Sequence, residues 1–362
     1  MPHRVHNFSA GPAALPLEVL QEAQSELTDF HESGMSIMEM SHRSKLYDSV
    51  HQEATTNIAK LLNFSLEEYS ILWMGGGART QFALVPMNLL GDNQKADYID
   101  TGSWSSYAIK EAKKIGETQV VYSSQESGHN HVPSSEGFQA NADSRYLHYT
   151  SNNTIFGTQF QEEPETQTNL VCDMSSDILS RPVDVSRYGV IYAGAQKNMG
   201  PAGVTMVIIR RDLLEQCPEN LPEVMNYKKV AAKDSMLNTP PVFSIYMVGL
   251  VAKHLTKLGG LGSVAKTNEE KAEKLYSTID NSNGFYEGHA QTQSRSRMNV
   301  TFRLPNEDLE KIFVAEATAA DLIGLKGHRS VGGLRASIYN AVPSASVSTL
   351  CEFMSHFQKT HG

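Results

Sequence analysis

No apolar run in this chain approaches the ~18 residues that a membrane-spanning helix needs, so no membrane partner is expected. Cysteine is scarce: Cys172, Cys217 and Cys351 are far apart and odd in number. That excludes a disulfide framework and any metal-ligand spacing, and fits free thiols in a reducing compartment. Residues Met1 to Phe8 lack the apolar core of a secretion signal, so a cytoplasmic location is expected. The Asn-x-Ser/Thr triplets at Asn7, Asn63, Asn152 and Asn299 then carry no glycosylation meaning. Positive charge is the scarcer sign, 31 Lys and Arg against 40 Asp and Glu, for a formal net charge of −9. This argues against nucleic acid as a partner and leaves small-molecule substrates, anionic ones included, because a local arginine cluster can oppose the global sign. A Walker A loop, a Gly-x-Gly-x-x-Gly fingerprint, internal repeats and low-complexity segments are all missing. His129 and His131 lie in a polar loop, Ser123 to Gly137, without a third ligand, so they are expected to be solvated and no metal site is expected.

What is present is an ordinary globular composition, 40% hydrophobic and 20% charged, in 362 residues, too long for one core. Strand-like and helix-like segments alternate up to about residue 210. Tyr69 to Met74, Ala96 to Asp100, Tyr146 to Thr150, Leu170 to Asp173, Tyr188 to Ala193 and Val204 to Ile209 read as strands. Pro16 opens a helical pattern, and Lys45 to Leu62 forms a second. The spacing predicts an α/β fold with a mainly parallel sheet. Phe243 to Leu258 and Ser263 to Asp280 read as helices, with Leu258 to Gly262 between them as the best hinge. Beyond it lie strands at Met298 to Leu304 and Leu334 to Tyr339 and a final helix, Ser344 to His356. The expected division is an N-terminal segment, 1–15, a large domain, 16–258, and a smaller α+β domain, 259–362.

One stretch organises the rest: Gly194-Ala195-Gln196-Lys197-Asn198-Met199-Gly200-Pro201-Ala202-Gly203, a Gly-rich loop between two apolar strands. Its small residues leave room for a planar ligand, and a partly desolvated lysine has a lowered pKa and becomes a usable nucleophile. Read alone, Lys197 fits a surface turn equally well. Upstream, Asp173 ends a strand 24 positions before it, enough for one loop and one more strand. That spacing can set both side chains at neighbouring ends of a parallel sheet. A lysine and a carboxylate so placed are what pyridoxal phosphate (PLP) needs: an amine to hold the aldehyde and an acid to keep the pyridine nitrogen protonated. Asp173 as a plain strand-end cap is the competing reading.

Other segments point the same way. Gly75-Gly76-Gly77-Ala78-Arg79 runs from a strand into a helix, the general recipe for a phosphate site, though a tight turn has the same look. Trp104, one of two tryptophans, follows a strand end and could stack on a ring or pack in the core. Two His-Arg pairs, His42-Arg43 and His328-Arg329, stand in an otherwise acidic chain.

Seven segments in order make the chain resemble the phosphoserine aminotransferase family, a class-V branch of the fold-type I PLP-dependent enzymes. They are Asn7 to Ala13, Ser41-His42-Arg43, Gly75 to Arg79, Asp173 to Ser176, Gly194 to Asn198, Asn238-Thr239-Pro240-Pro241 and Gly327 to Ser337. The resemblance covers essentially the whole length. It implies that Lys197 holds PLP and moves the proton between the substrate Cα and the cofactor C4′. It implies that Asp173 pairs with the ring nitrogen, that Trp104 stacks on the ring, and that Thr154 bonds near the ring oxygen. Ala78, Arg79 and Gln196 would hold the phosphate, joined by Asn238 and Thr239 from the other subunit of a homodimer. Arg335 would clamp the α-carboxylate, Ser9 and Arg43 would touch the dicarboxylate substrate, and His42, Arg43, His328 and Arg329 would bind the distal anion. The implied reaction is reversible transamination of 3-phosphohydroxypyruvate with glutamate in serine biosynthesis. Some relatives also handle 4-phosphohydroxythreonine, on the route to pyridoxine. A planar guanidinium suits the α-carboxylate that both substrates share. A mixed Arg/His cluster suits distal ends that differ, a phosphate or a γ-carboxylate. Two rivals stand: another class-V enzyme, such as an alanine–glyoxylate-type aminotransferase or a cysteine desulfurase, and a PLP-binding regulator without turnover. A desulfurase needs a mobile thiol, and none of the three cysteines is well placed.

Overall fold

The computed structural model describes residues 3–91, 93–134 and 136–362; Met1 and Pro2 of the N-terminal stretch and Ser135 of the polar loop read above lie outside it. The chain opens with β1 (His6–Asn7), α1 (Leu17–Glu26) and α2 (Lys45–Leu61). Strands and helices then alternate: β2 (Tyr69–Gly75), α3 (Gln81–Leu89), β3 (Lys95–Asp100), α4 (Ser103–Ala112), β4 (Glu117–Ser123) and β5 (Tyr146–Thr150). A short hairpin follows, β6 (Asn152–Asn153) and β7 (Thr158–Gln159), and after it β8 (Asn169–Asp173), β9 (Tyr188–Gly194) and β10 (Val204–Arg210). Next come α5 (Arg211–Leu214), α6 (Tyr227–Ala231), α7 (Val242–Lys257) and α8 (Gly260–Asp280). The remainder is β11 (Glu287–Gly288), β12 (Asn299–Arg303), α9 (Glu307–Ala319), β13 (Leu322–Ile323), β14 (Leu334–Ser337) and α10 (Ser344–His361).

Seven strands form the central sheet in the order β2-β10-β9-β8-β5-β3-β4, parallel except for β10, which runs antiparallel to both neighbours. The expected mainly parallel α/β architecture is therefore present. Strands β8 and β9 are buried almost throughout, as parallel strands covered on both faces must be, and this explains their unbroken apolar sequences. Helix α2 shows how local sequence sets an element. Ser44 caps it by accepting a bond from the Tyr47 N–H at 3.2 Å, and Tyr47, Val50, Ala54 and Ile58 bury one face. Ala54 meets Gly249 of α7 so closely that a Cβ on Gly249 would lie 3.3 Å from the Ala54 Cβ, which lets the two helices pack side by side.

The C-terminal elements build a second hydrophobic cluster around the antiparallel sheet β11-β12-β14. Phe8 lies in that cluster, and β1 pairs in parallel with β13, so the start of the chain is stitched to its end. Helix α8 begins at Gly260, three residues earlier than the sequence pattern placed it, because Gly259 takes the left-handed conformation (φ 95°) that turns α7 into α8. Only this turn, and not the whole Gly-rich stretch, separates the helices. The expectation that His129 is solvated fails. It is buried, bonded through Nδ1 to Ser124 Oγ at 3.2 Å and set 5.0 Å from the Phe156 ring, and burial pushes its pKa down.

Candidate active site

Strands β8 and β9 are parallel neighbours, with Asp173 in register with Tyr192. The loop that leaves β9 carries Lys197, and it is fixed at several points. The Ala195 N–H donates to Val204 O at 3.0 Å, and the Gly200 N–H donates to Ala195 O at 2.8 Å. Asn198 donates to Ile178 O at 2.7 Å and accepts from the Asn340 N–H at 2.9 Å. The small residue at position 200 serves packing rather than ligand space: a Cβ there would sit 2.8 Å from Val248 of α7. The lysine is thus presented from a rigid turn.

Around its amine the groups converge. Lys197 Nζ donates to Thr154 Oγ1 at 2.7 Å and stands 5.2 Å from the centre of the Trp104 ring. Arg335, on β14, donates to the Thr154 carbonyl at 3.2 Å, so Thr154 is held from two sides by the two cations. Asp173 is buried, and its Oδ1 accepts from the Ser175 N–H at 2.9 Å and the Ser175 hydroxyl at 2.6 Å. Burial pushes the carboxyl up, while Lys197 and then Ser175 hold it down. Burial pushes Lys197 down to about 8; Asp173 opposes that shift and Arg335 adds to it. The segment Ser9-Ala10-Gly11 passes over the lysine: Tyr339 donates to Ala10 O at 2.8 Å, and a Cβ on Gly11 would lie 3.2 Å from Lys197 Cγ.

The glycine loop after β2 reaches the lysine loop. A Cβ on Gly194 would come within 2.7 Å of Gln196 Oε1 and 3.3 Å of the Ala78 nitrogen, so only glycine lets these groups meet. Arg79 turns outward and stacks over Tyr107 at 4.7 Å. Trp104 follows the end of β3 in the first turn of α4, half-buried, with its Nε1 unpartnered. His328 bonds Ser330 through Nδ1 at 2.7 Å, and its pKa is pushed down by burial, then by Arg335 and Arg329. Other residues are not brought to this cleft within one protomer. Arg43 is exposed and His42 half-buried in the turn before α2, and Asn238 and Thr239 are exposed before α7. Among the described residues no hydrogen bond or ion pair joins these four to Lys197, His328 or Arg329. Sequence reasoning gave no role to Ser175, Asn198 or Tyr339. Ser175 carried a usable signal, a serine two places after a strand-end aspartate; the other two bond partners distant in sequence.

The fold and the lysine loop define a class of protein. A family model described as aminotransferase class-V matches residues 5–350. A phosphoserine aminotransferase of Lysinibacillus sphaericus is 53% identical over 362 residues, covering all of both chains. The crystallised phosphoserine aminotransferase from Bacillus circulans subsp. alkalophilus is 52% identical and superimposes with a TM-score of 0.97, covering 99% of each chain. A PLP-bound phosphoserine aminotransferase from Trichomonas vaginalis is 39% identical with a TM-score of 0.92, covering 97% of this chain and 100% of that one. The chain belongs to the phosphoserine aminotransferase family of class-V, PLP-dependent aminotransferases.

The residues present fit that cofactor. Asp173 keeps Oδ1 on Ser175 and leaves its second oxygen for a ring N–H. The Trp104 face lies across from the lysine amine, and Ala78, Gly194 and Gln196 form a cradle that any added side chain would fill. A pH prediction follows from the lysine. Only the neutral amine attacks an aldehyde, and its fraction grows as pH rises through the lysine pKa. Covalent capture of PLP by cofactor-free protein should therefore rise with a midpoint near 8, not near the ordinary lysine value of 10.5. Borohydride trapping across the pH range measures it.

Proposed function

We propose that the chain transfers an amino group reversibly from glutamate to 3-phosphohydroxypyruvate, giving O-phosphoserine and 2-oxoglutarate, a step of serine biosynthesis. The observation that supports this reading is Thr154 held between Lys197 and Arg335, an amine and a guanidinium in one cleft, the pair that an aldehyde cofactor and an α-carboxylate would need. Bound PLP supplies an electron sink for the pair released when the substrate Cα–H bond breaks. Lys197 anchors the cofactor and then takes and returns the Cα proton, a task its lowered pKa suits. Asp173 would pair with the ring nitrogen, Trp104 would stack on the ring and Thr154 would bond near the ring oxygen. Ala78 and Arg79 would give backbone N–H groups to the phosphate, helped by Gln196, which leaves the Arg79 side chain free to stack on Tyr107. Arg335 would take the α-carboxylate bidentately, and Ser9 and Arg43 would touch the dicarboxylate substrate. His328 and Arg329, with His42 and Arg43, receive the distal phosphate or γ-carboxylate. An arriving anion favours the imidazolium of His328, against the downward push of burial and then of its arginine neighbours.

The exposed turns bearing Arg43 and Asn238-Thr239 are offered to a second copy, so the working enzyme is a homodimer with shared sites. We assign it to the cytoplasm, where three buried free thiols are at ease; no described helix is long and apolar enough to cross a membrane. The chain divides at the Gly259 turn into a large part, 16–258, and a smaller one, 259–362, with Ser9 to Gly11 of the N-terminal segment lying over the lysine. 4-Phosphohydroxythreonine carries the same α-amino acid and phosphate ends, so the same contacts extend to it and to pyridoxine biosynthesis. The experiment is direct: glutamate should abolish the PLP absorption band of the purified protein, and 3-phosphohydroxypyruvate should restore it. A band unmoved by glutamate would leave a cofactor-binding protein without turnover. In the same assay Arg329→Leu should raise the KM for phosphoserine ~10–100-fold, the worth of one charge-assisted hydrogen bond, with PLP occupancy unchanged. An unaltered KM would remove Arg329 from the anion cluster.

A further inference from the structure

Behind Arg335 lies a polar cluster that no part of the mechanism above uses. Its centre is Asn299, on β12, fully buried between Met298 and Val300. Buried amides are costly unless satisfied, and this one is used at both ends. Its Oδ1 accepts from Asn152 Nδ2 at 2.7 Å; its Nδ2 donates to Ser337 Oγ at 2.9 Å and to the Tyr339 hydroxyl at 3.1 Å. With one acceptor and two donors fixed, the amide has a single orientation.

Each partner leads to the active site by a short path. Asn152 Nδ2 also bonds Ser176 Oγ at 2.8 Å, beside the Asp173–Ser175 turn, and Asn152 lies two residues before Thr154. Strand β14 pairs with β12, setting Ser337 opposite Asn299 and Arg335 opposite Thr301. Because side chains alternate along a strand, Arg335 and Ser337 stand on one face, as do Asn299 and Thr301. Thr301 donates to Phe156 O at 2.8 Å, so the turn that carries Thr154 is seated on β12 at two points. Tyr339 passes the link on to Ala10, next to the glycine over Lys197.

We propose that Asn299 is a positioning residue: it fixes the strand of Arg335 to the Thr154 turn, and so sets where a substrate α-carboxylate is gripped relative to the Lys197 amine. This rests on the reading of Arg335 as the carboxylate clamp. The consequence is a particular kinetic pattern. Both substrates share the α-carboxylate, so loosening the clamp penalises both alike and spares the cofactor and the distal anion site.

The test compares Asn299→Asp, Asn299→Leu and Arg335→Leu, singly and with each Asn299 change in the Arg335→Leu background. Asn299→Asp keeps the size and the acceptor for Asn152 but loses both donors, and it guards against a leucine variant that fails to fold. The expected result is a roughly tenfold rise in KM for glutamate and for phosphoserine in equal proportion, with kcat within ~threefold and PLP affinity unchanged. In the Arg335→Leu background the Asn299 change should add no further rise, since a residue that acts through another loses its effect when that residue is gone. Unequal KM changes, a rise that persists in full without Arg335, or a loss of PLP matching the loss of substrate affinity would each overturn the proposal. If Arg335→Leu itself leaves both KM values alone, the clamp reading falls and takes this inference with it. If Arg335→Leu raises both and the Asn299 variants do not, only the inference falls.

Discussion

Lys197→Ala should slow the glutamate half-reaction by ~10⁴-fold or more, because on the proposed mechanism it removes both the cofactor's covalent anchor and the group that moves the Cα proton. The physical basis is the setting of this amine. It is pushed to about 8 by burial, with Asp173 and Arg335 acting on it in opposite senses, so near neutral pH it holds a proton yet can give it up. The fold should survive the change. The loop around position 197 is tied by backbone bonds and by Asn198, none of which uses the lysine side chain. Absorption changes on mixing with glutamate, together with the mass of the assembled protein, test both halves. A mutant that still transaminates would show that another group is the base.

Asp173→Asn should cost ~10²–10³-fold in the same half-reaction, the usual effect of removing one preorganised electrostatic partner from an enclosed site. The asparagine oxygen can still accept both Ser175 bonds, so the shape is kept and only the charge is lost. A second readout separates this from simple damage. The Asp173 charge is what opposes the downward shift of Lys197, so in Asp173→Asn the midpoint for covalent capture of PLP should move below about 8. Activity falls while the amine becomes easier to deprotonate, and misfolding would not produce that combination. An unshifted midpoint would mean that Asp173 does not act on Lys197.

Much of this site was legible in the sequence because its parts are local. The apolar strand that ends in Asp173, the glycines before Ala78 and the lysine between small residues each obey a short-range rule. Six of the seven strands of the central sheet followed from buried segments whose composition leaves little choice. What was missed depends on distant partners. Strand β4 is an edge strand, exposed over much of its length, so its residues show no clear apolar pattern. The strand β1 is two residues long and exists only because β13 pairs with it. His129 looked solvated since its neighbours in sequence are polar; it is buried because Phe156 comes to it from another part of the chain. Asn299 opens an alternating strand, Asn-Val-Thr-Phe-Arg, where nothing nearby in sequence shows that its amide is buried. Its partners lie 147 residues upstream and 38 and 40 downstream.

The path of residues 6–13 has a mechanical meaning. At one end β1 is tied to β13; at the other, the Ala13 N–H donates to Gln196 O at 2.9 Å, on the lysine loop itself. The Ser337 N–H of β14 also donates to Phe8 O at 3.1 Å, so the segment is a strap slung from β13 and β14 to the lysine loop. Drawing β13 and β14 away from the lysine loop would pull this strap taut across Lys197, so the two can separate no further than its slack allows unless the Ala13 bond or the β1 ties part first.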